Sequence, residues 1–244
     1  SIFNFFISAF SYHFFLSFDV SKTKSLIYTL SFATLAYTIS GTPFVDHHAT
    51  FFLLISTYLI IIALNFPQKN YFWIFIVMLF FLSFLSKQVP TVYVIMSQGA
   101  ILLYFFFKTK EMKIIKIIFF SLIFFFILFI FLLIYLKIDF KLFYIQYLDY
   151  PRTIGFDRYD RFEKSFEIFF NQYKFLLLPI ILILFLKFKK MSNKQINFSS
   201  KEVIIFLIIF SLGISLLFHQ LMTKNQIFIY FLIPIFLALL ETDI

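Results

Sequence analysis

Cysteine is absent from this chain, and charged residues are scarce. The lack of cysteine excludes disulfides, thiolate metal sites and cysteine nucleophiles. Charged residues make up 14% of the sequence, whereas a soluble domain has about 25%. Hydrophobic residues make up 62%. The composition therefore predicts an integral membrane protein that has membrane lipids as partners and no nucleic-acid partner.

Long apolar runs recur along the whole chain. Crossing a bilayer takes about 20 apolar residues as a helix, and a helix satisfies its own backbone hydrogen bonds in lipid. By that measure we predict an all-α, polytopic helical bundle of about nine spans, with residues 1–244 forming a single membrane domain. The predicted spans are 2–18, 25–42, 49–66, 71–86, 91–107, 114–136, 174–188, 203–219 and 227–240.

The loops between these runs alternate in charge. Lysines concentrate in 19–24, 67–70, 108–113 and 187–202. The other set, 43–48, 87–90, 137–173 and 220–226, carries few lysines in its short members and a mixture of signs in 137–173. Basic loops stay in the cytoplasm. The second set of loops is therefore predicted to face outward.

The long outer loop, 137–173, contains a separate pattern. In "RFEKSFEIFF" the residues Phe162, Phe166, Phe169 and Phe170 share one helical face, with charged residues around the rest. This pattern predicts an amphipathic helix lying on the membrane surface. The stretch before it, 150–161, contains Pro151 and is predicted to be irregular.

An acid and two histidines interrupt the apolar sequence in "TPFVDHHATFF". Asp46 precedes the cytoplasmic turn "PQKN" by about 20 residues and Lys87 follows it by about 17, so both return to the same face at 1.5 Å per residue. We therefore expect Asp46 and Lys87 to meet at one outer edge. The loop with His219 and Lys224 lies on the same side.

Such a cluster suits an anionic lipid carrier with a polar head. Lysine and arginine bind phosphate, and a carboxylate accepts a sugar hydroxyl or acts as a base. Asp46 is the predicted catalytic residue. The predicted substrate-binding residues are His47, His48, Lys87, Gln88, Arg152, Arg158, Lys224 and Asn225. His47 and His48 are adjacent and point to different faces of a helix, so we predict no metal site and no cofactor, a divalent metal being the alternative.

Two stretches also resemble a known family. "TPFVDHHATFFLLISTYLIIIAL" followed by "LFFLSFLSKQVPTVYVIMSQGAILLYFFF" is similar to the membrane domain of GT-C glycosyltransferases, in particular the dolichyl-phosphate-mannose-protein mannosyltransferase-like group and the aminoarabinose transferases. "LMTKNQIFIYFLIPIFLALLE" resembles a late segment of the same proteins. The similarity covers roughly 25–107 and 205–241.

The resemblance implies transfer of a sugar from a polyprenyl-phosphate donor to a lipid, glycan or protein acceptor, on the extracytoplasmic face of a bacterial inner membrane. Members of the family usually carry their principal catalytic acid in the first outer loop. This chain is expected to be a fragment that lacks that loop, and its activity would then depend on the missing segment.

Two other functions remain open. A transporter or flippase of lipid-linked substrates would place ionisable groups and broken helices near the membrane midplane. The chain has 4 glycines and few charges inside its spans, which argues against transport. A protein resembling an O-antigen polymerase would also suit a long outer loop with arginines.

Overall fold

The computed structural model describes residues 2–36, 45–153, 166–192, 201–223 and 229–241. Within these ranges the chain is helical apart from short turns, and the described residues contain no strand. The predicted all-α fold class is therefore confirmed for the described part of the chain.

The described residues include ten α-helices with the bounds given below, a short π-helix and the helical residues 150–153 after the seventh, and a 3-10 turn before the last. The α-helices are α1 (Ile2–Leu16), α2 (Lys22–Ala36), α3 (Val45–Asn65), α4 (Asn70–Ser86), α5 (Gln88–Thr109), α6 (Met112–Tyr135), α7 (Phe140–Tyr144), α8 (Phe166–Ser192), α9 (Lys201–Thr223) and α10 (Leu232–Glu241). The π-helix is Ile145–Asp149 and the 3-10 turn is Ile229–Phe231.

Four of these helices, α3, α5, α6 and α9, are long enough and apolar enough to cross a membrane. Each predicted span overlaps a helix, but the shorter apolar helices α1, α4 and α10 have 15, 17 and 10 residues, fewer than the roughly 20 of a typical span. The four helices are compatible with a membrane protein. The count of nine spans is not confirmed.

The helices run up and down, so helix ends far apart in sequence come together. Tight turns reverse the chain between α3 and α4 and between α5 and α6, where Lys110 adopts the left-handed conformation that ends α5. Trp73 packs edge-on against Phe106 with ring centroids 5.2 Å apart, which fixes α4 antiparallel to α5. The starts of α3 and α5 and the end of α4 consequently lie together, at what is called the Asp46 end below.

The segment after α6 differs from the predicted loop. Helical structure begins at Phe140 and continues through the π-helix to residue 153, so the start of the stretch predicted to be irregular is helical. Helix α8 begins at Phe166 and runs without a break to Ser192, so the chain from 166 to 173 belongs to the same helix as the predicted span 174–188. Phe162 lies outside the described residues, and the interfacial helix stays a prediction.

Candidate functional site

Asp46 and Lys87 form an ion pair at the Asp46 end of the bundle. Asp46 lies in the first turn of α3, and Lys87 is the one residue that links α4 to α5. The Lys87 ammonium donates to Asp46 Oδ1. The two side chains remain 28% and 25% exposed. The predicted meeting of these residues at one edge is confirmed, since the α3–α4 hairpin returns the chain to its starting level.

His219 approaches the same carboxylate oxygen from a third helix. It lies near the end of α9, and its Nε2 is 3.4 Å from Asp46 Oδ1. Unlike Asp46 and Lys87, the imidazole is buried, with 1% of its side chain exposed. Tyr93 packs edge-on against Phe218 and so holds the end of α9 beside the start of α5. One Asp46 oxygen therefore joins α3, the α4–α5 link and α9.

A buried pair of hydroxyl groups lies beneath Lys87. Ser83 Oγ and Thr91 Oγ1 are 2.6 Å apart, and both side chains are fully buried. Ser83 Oγ also lies 2.9 Å from the Ala49 carbonyl oxygen, and Thr91 Oγ1 lies 2.8 Å from the Lys87 carbonyl oxygen. Each hydroxyl has a single proton, so one of the two donates to the other and the second donates to its carbonyl. These contacts join α3, α4 and α5 next to the ion pair, so they hold the link at Lys87 in place.

Tyr147, in the π-helix, binds the other side of the α4–α5 link. Its hydroxyl donates to the Phe84 carbonyl, and its own carbonyl accepts from Gln88 Nε2. Burial raises the pKa of Tyr147 above the ordinary value, so the phenol stays protonated and serves as a donor. Tyr147 thereby attaches the start of the predicted outer loop, 137–173, to α4 and α5 next to Lys87.

The other predicted site residues are placed differently or lie outside the described residues. His47 is buried beside Phe51, whereas His48 is partly exposed and packs edge-on against Phe3, with ring centroids 5.7 Å apart. The two histidines therefore point in different directions, as their adjacency predicts. Arg152 is exposed, in the last helical residues before the undescribed stretch. Arg158, Lys224 and Asn225 lie outside the described residues.

Four residues around this site were not among the predicted site residues. His219 was placed at the correct end of the bundle, but nothing in the sequence distinguishes it from an interfacial anchor. Ser83 and Thr91 look like incidental polar residues in an apolar run, and Tyr147 looks like one of many tyrosines. Ser83, which has only apolar neighbours in "FFLSFL", is a usable signal of a contact between helices, because a hydroxyl in an apolar environment needs a hydrogen-bond partner.

The site combines the Asp46 carboxylate, the His219 imidazole and the Lys87 ammonium. Water can reach the carboxylate and the ammonium, which are partly exposed. Lys87 has three donor hydrogens, and Asp46 accepts only one of the bonds they can make. Asp46 has four lone-pair positions, so the contacts with Lys87 and His219 leave acceptor capacity for a further donor. Such a group can bind an anion next to a hydroxyl.

Comparison of the chain with protein-family models, curated proteins and solved structures finds no match. The resemblance to GT-C glycosyltransferases therefore stays a prediction, and so do the catalytic and binding roles that it implies. The geometry establishes the convergence of Asp46, Lys87 and His219 at one end of an apolar helical bundle.

Proposed function

We propose that the chain is the membrane part of a glycosyltransferase that takes a sugar from a polyprenyl-phosphate donor at the extracytoplasmic face of a bacterial inner membrane. The observation that carries this proposal is the partly exposed ion pair of Asp46 and Lys87 at the end of an apolar bundle. A lipid-linked sugar phosphate has the same division into a long apolar tail and an anionic head.

In this proposal Lys87 binds the phosphate of the donor. Phosphate oxygens replace Asp46 as acceptors of part of the Lys87 hydrogen bonds. A charge-assisted bond from Lys87 to phosphate is at least as favourable as its bond to Asp46. Asp46 is then available to accept a proton or a sugar hydroxyl. His219, in contact with the same carboxylate, keeps Asp46 oriented, and the bonds of Ser83 and Thr91 keep Lys87 in place.

The polar residues deeper in the bundle support this function over transport. Gln98 lies midway along α5 and donates to Thr57 Oγ1 at 3.0 Å and to the Ile208 carbonyl at 3.1 Å. Ser97 and Ser215 join α5 to α9 with their oxygens 3.3 Å apart. These are uncharged groups that join helices, whereas transporters place ionisable groups near the midplane.

A binding measurement on the purified chain tests the phosphate role of Lys87. The probe is a polyprenyl phosphate, and the matched ligand is the polyprenol of the same length, which lacks the phosphate. We expect the phosphate to bind more tightly, and Lys87→Gln to weaken its binding about tenfold, equivalent to about 1.4 kcal/mol. Lys137→Gln, an exposed lysine just after α6, is the control and should leave binding unchanged.

A transfer assay on the full-length protein tests the role of Asp46. Asp46→Asn keeps the size of the side chain and removes its charge, so we expect transfer to fall at least tenfold, about 1.4 kcal/mol of barrier. Asp139→Asn, which changes the exposed carboxylate that caps α7, should leave transfer unchanged. If polyprenyl phosphate and polyprenol bind with equal affinity and Asp46→Asn retains full transfer, the proposal is wrong and the ion pair has only a structural role.

A further inference from the structure

Two tight turns at the end of the bundle opposite Asp46 carry a cluster of lysines. The basic cluster is defined as Lys69, Lys108, Lys110, Lys113 and Lys116, all exposed. Glu111 is the single acid within these turns. Among the described residues no carboxylate lies within ion-pair distance of any of the five lysines. Five lysines against one glutamate therefore make this surface predominantly positive.

Packing between helices brings the two turns together. Trp73 against Phe106 places the start of α4 beside the end of α5. Phe81 packs against Phe125 and Phe129 with ring centroids 6.3 and 5.7 Å apart, so α4 and α6 run side by side in the same direction. Lys69 at the start of α4 consequently lies at the same level as Lys113 at the start of α6.

An uncovered apolar face continues from the cluster along α6. Only 11% of the most apolar stretch of α6 is buried, and the helix of 24 residues is about 36 Å long. Phe120 follows Lys116 by four residues, so it lies on the same side of the helix, and it is 66% exposed. A positive group thus stands directly at one end of a long apolar surface.

Stabilisation of the helices does not account for all of these lysines. Lys108, in the last turn of α5, is favourable there because the helix dipole places negative charge at that end. Lys113 lies in the first turn of α6, where the dipole is positive and a lysine is unfavourable. A negative partner from outside the chain would offset that cost.

We propose that the basic cluster and the start of α6 form a binding site for an anionic phospholipid. The phosphodiester lies against Lys110, Lys113 and Lys116, and the acyl chains lie along the exposed face that begins at Phe120. Charge complementarity selects an anionic headgroup, and the apolar face of α6 provides the contact for the tail. Lys69 and Lys108 sit over the rings of Phe66 and Tyr104 and add positive potential at the edge of the site.

Fluorescence quenching by brominated phospholipids tests this site. Trp73 is the only tryptophan of the chain, so Trp73→Phe combined with Phe120→Trp moves the reporter to the exposed face of α6. The protein is placed in bilayers that contain an equal small fraction of either a brominated anionic or a brominated zwitterionic phospholipid. We expect the anionic lipid to quench the fluorescence of the relocated tryptophan at least twofold more strongly.

Two matched double variants, each made in that reporter background, decide whether the basic cluster causes the preference. Lys113→Gln with Lys116→Gln removes two charges from the cluster and should make quenching by the two lipids equal. Lys137→Gln with Lys141→Gln removes two exposed lysines at the other end of α6 and should retain the preference. Equal quenching with the basic cluster intact, or loss of the preference in both double variants, would overturn the proposal.

Discussion

Helices α3 and α6 are both long enough to span a membrane, yet they occupy opposite environments. In α3, 72% of the most apolar stretch is buried, and the helix includes serine, threonine and histidine. In α6 the corresponding share is 11%, although α6 has the higher mean hydropathy. In a water-soluble protein the most apolar helix is normally the most buried one. The reversed order is compatible with a membrane protein, in which the most apolar helix faces lipid and polar groups lie inside the bundle.

The difference also explains where the candidate site lies. A polar side chain on a surface like that of α6 would face lipid without a hydrogen-bond partner, which costs free energy. The buried helices provide partners: Tyr58 of α3 bonds Ser11 at 3.2 Å, and Thr57 accepts from Gln98. Polar side chains therefore concentrate on α3, α5 and α9. Asp46, Lys87 and His219 lie at the Asp46 end of these helices.

The largest effect is expected from a charge placed on the exposed apolar side of α6. Phe124 lies at the middle of α6 and is 60% exposed. Phe124→Arg should destabilise the inserted, folded chain by about 3 kcal/mol, because a charge at the centre of a bilayer is costly. The fraction of inserted chain and thermal unfolding in bicelles measure it, with Phe124→Leu as the control. An arginine tolerated as well as leucine would show that this face does not lie in lipid.

A smaller effect is expected when a leucine is truncated in each helix. Leu54 in α3 is fully buried, whereas Leu128 in α6 is 41% exposed. Leu54→Ala leaves a cavity and should cost about 2 kcal/mol of stability, less than the largest values in water because lipid is as apolar as leucine. Leu128→Ala opens no cavity, since lipid fills the space. Reversible unfolding in detergent compares the two, and equal losses would contradict the assigned environments.

The smallest effect comes from adding one methyl group to a glycine. A Cβ on Gly213 of α9 would lie 2.7 Å from Cζ of Phe236, a buried ring of α10, whereas a Cβ on Gly99 of α5 meets nothing within 4 Å. Gly213→Ala should destabilise the bundle by about 1 kcal/mol after the gain in helix propensity is subtracted. Gly99→Ala should stabilise it slightly. A gain in thermal stability for both variants would mean that α9 and α10 separate without cost.

Part of the candidate site could be predicted because it depends on local geometry. Lengths of apolar runs and one short turn are sufficient to place Asp46 and Lys87 at the same level, and the structure joins them. The start of α8 at Phe166 was missed, because a charged amphipathic stretch followed by an apolar run has the same pattern whether it forms one helix or two. The roles of Ser83 and Thr91 depend on which helices become neighbours, and periodicity does not contain that information.

The sequence by itself determined that the chain is helical, that its longest apolar runs suit a membrane and that Asp46 and Lys87 lie at one level. Those properties follow from residue composition and from the fixed rise of a helix. Only the tertiary structure decided that His219, 173 positions from Asp46, contacts the same carboxylate and that α3 is inside while α6 is outside. Apolar helices have no strong preference among partners in lipid, so close packing and a few buried hydrogen bonds make that choice.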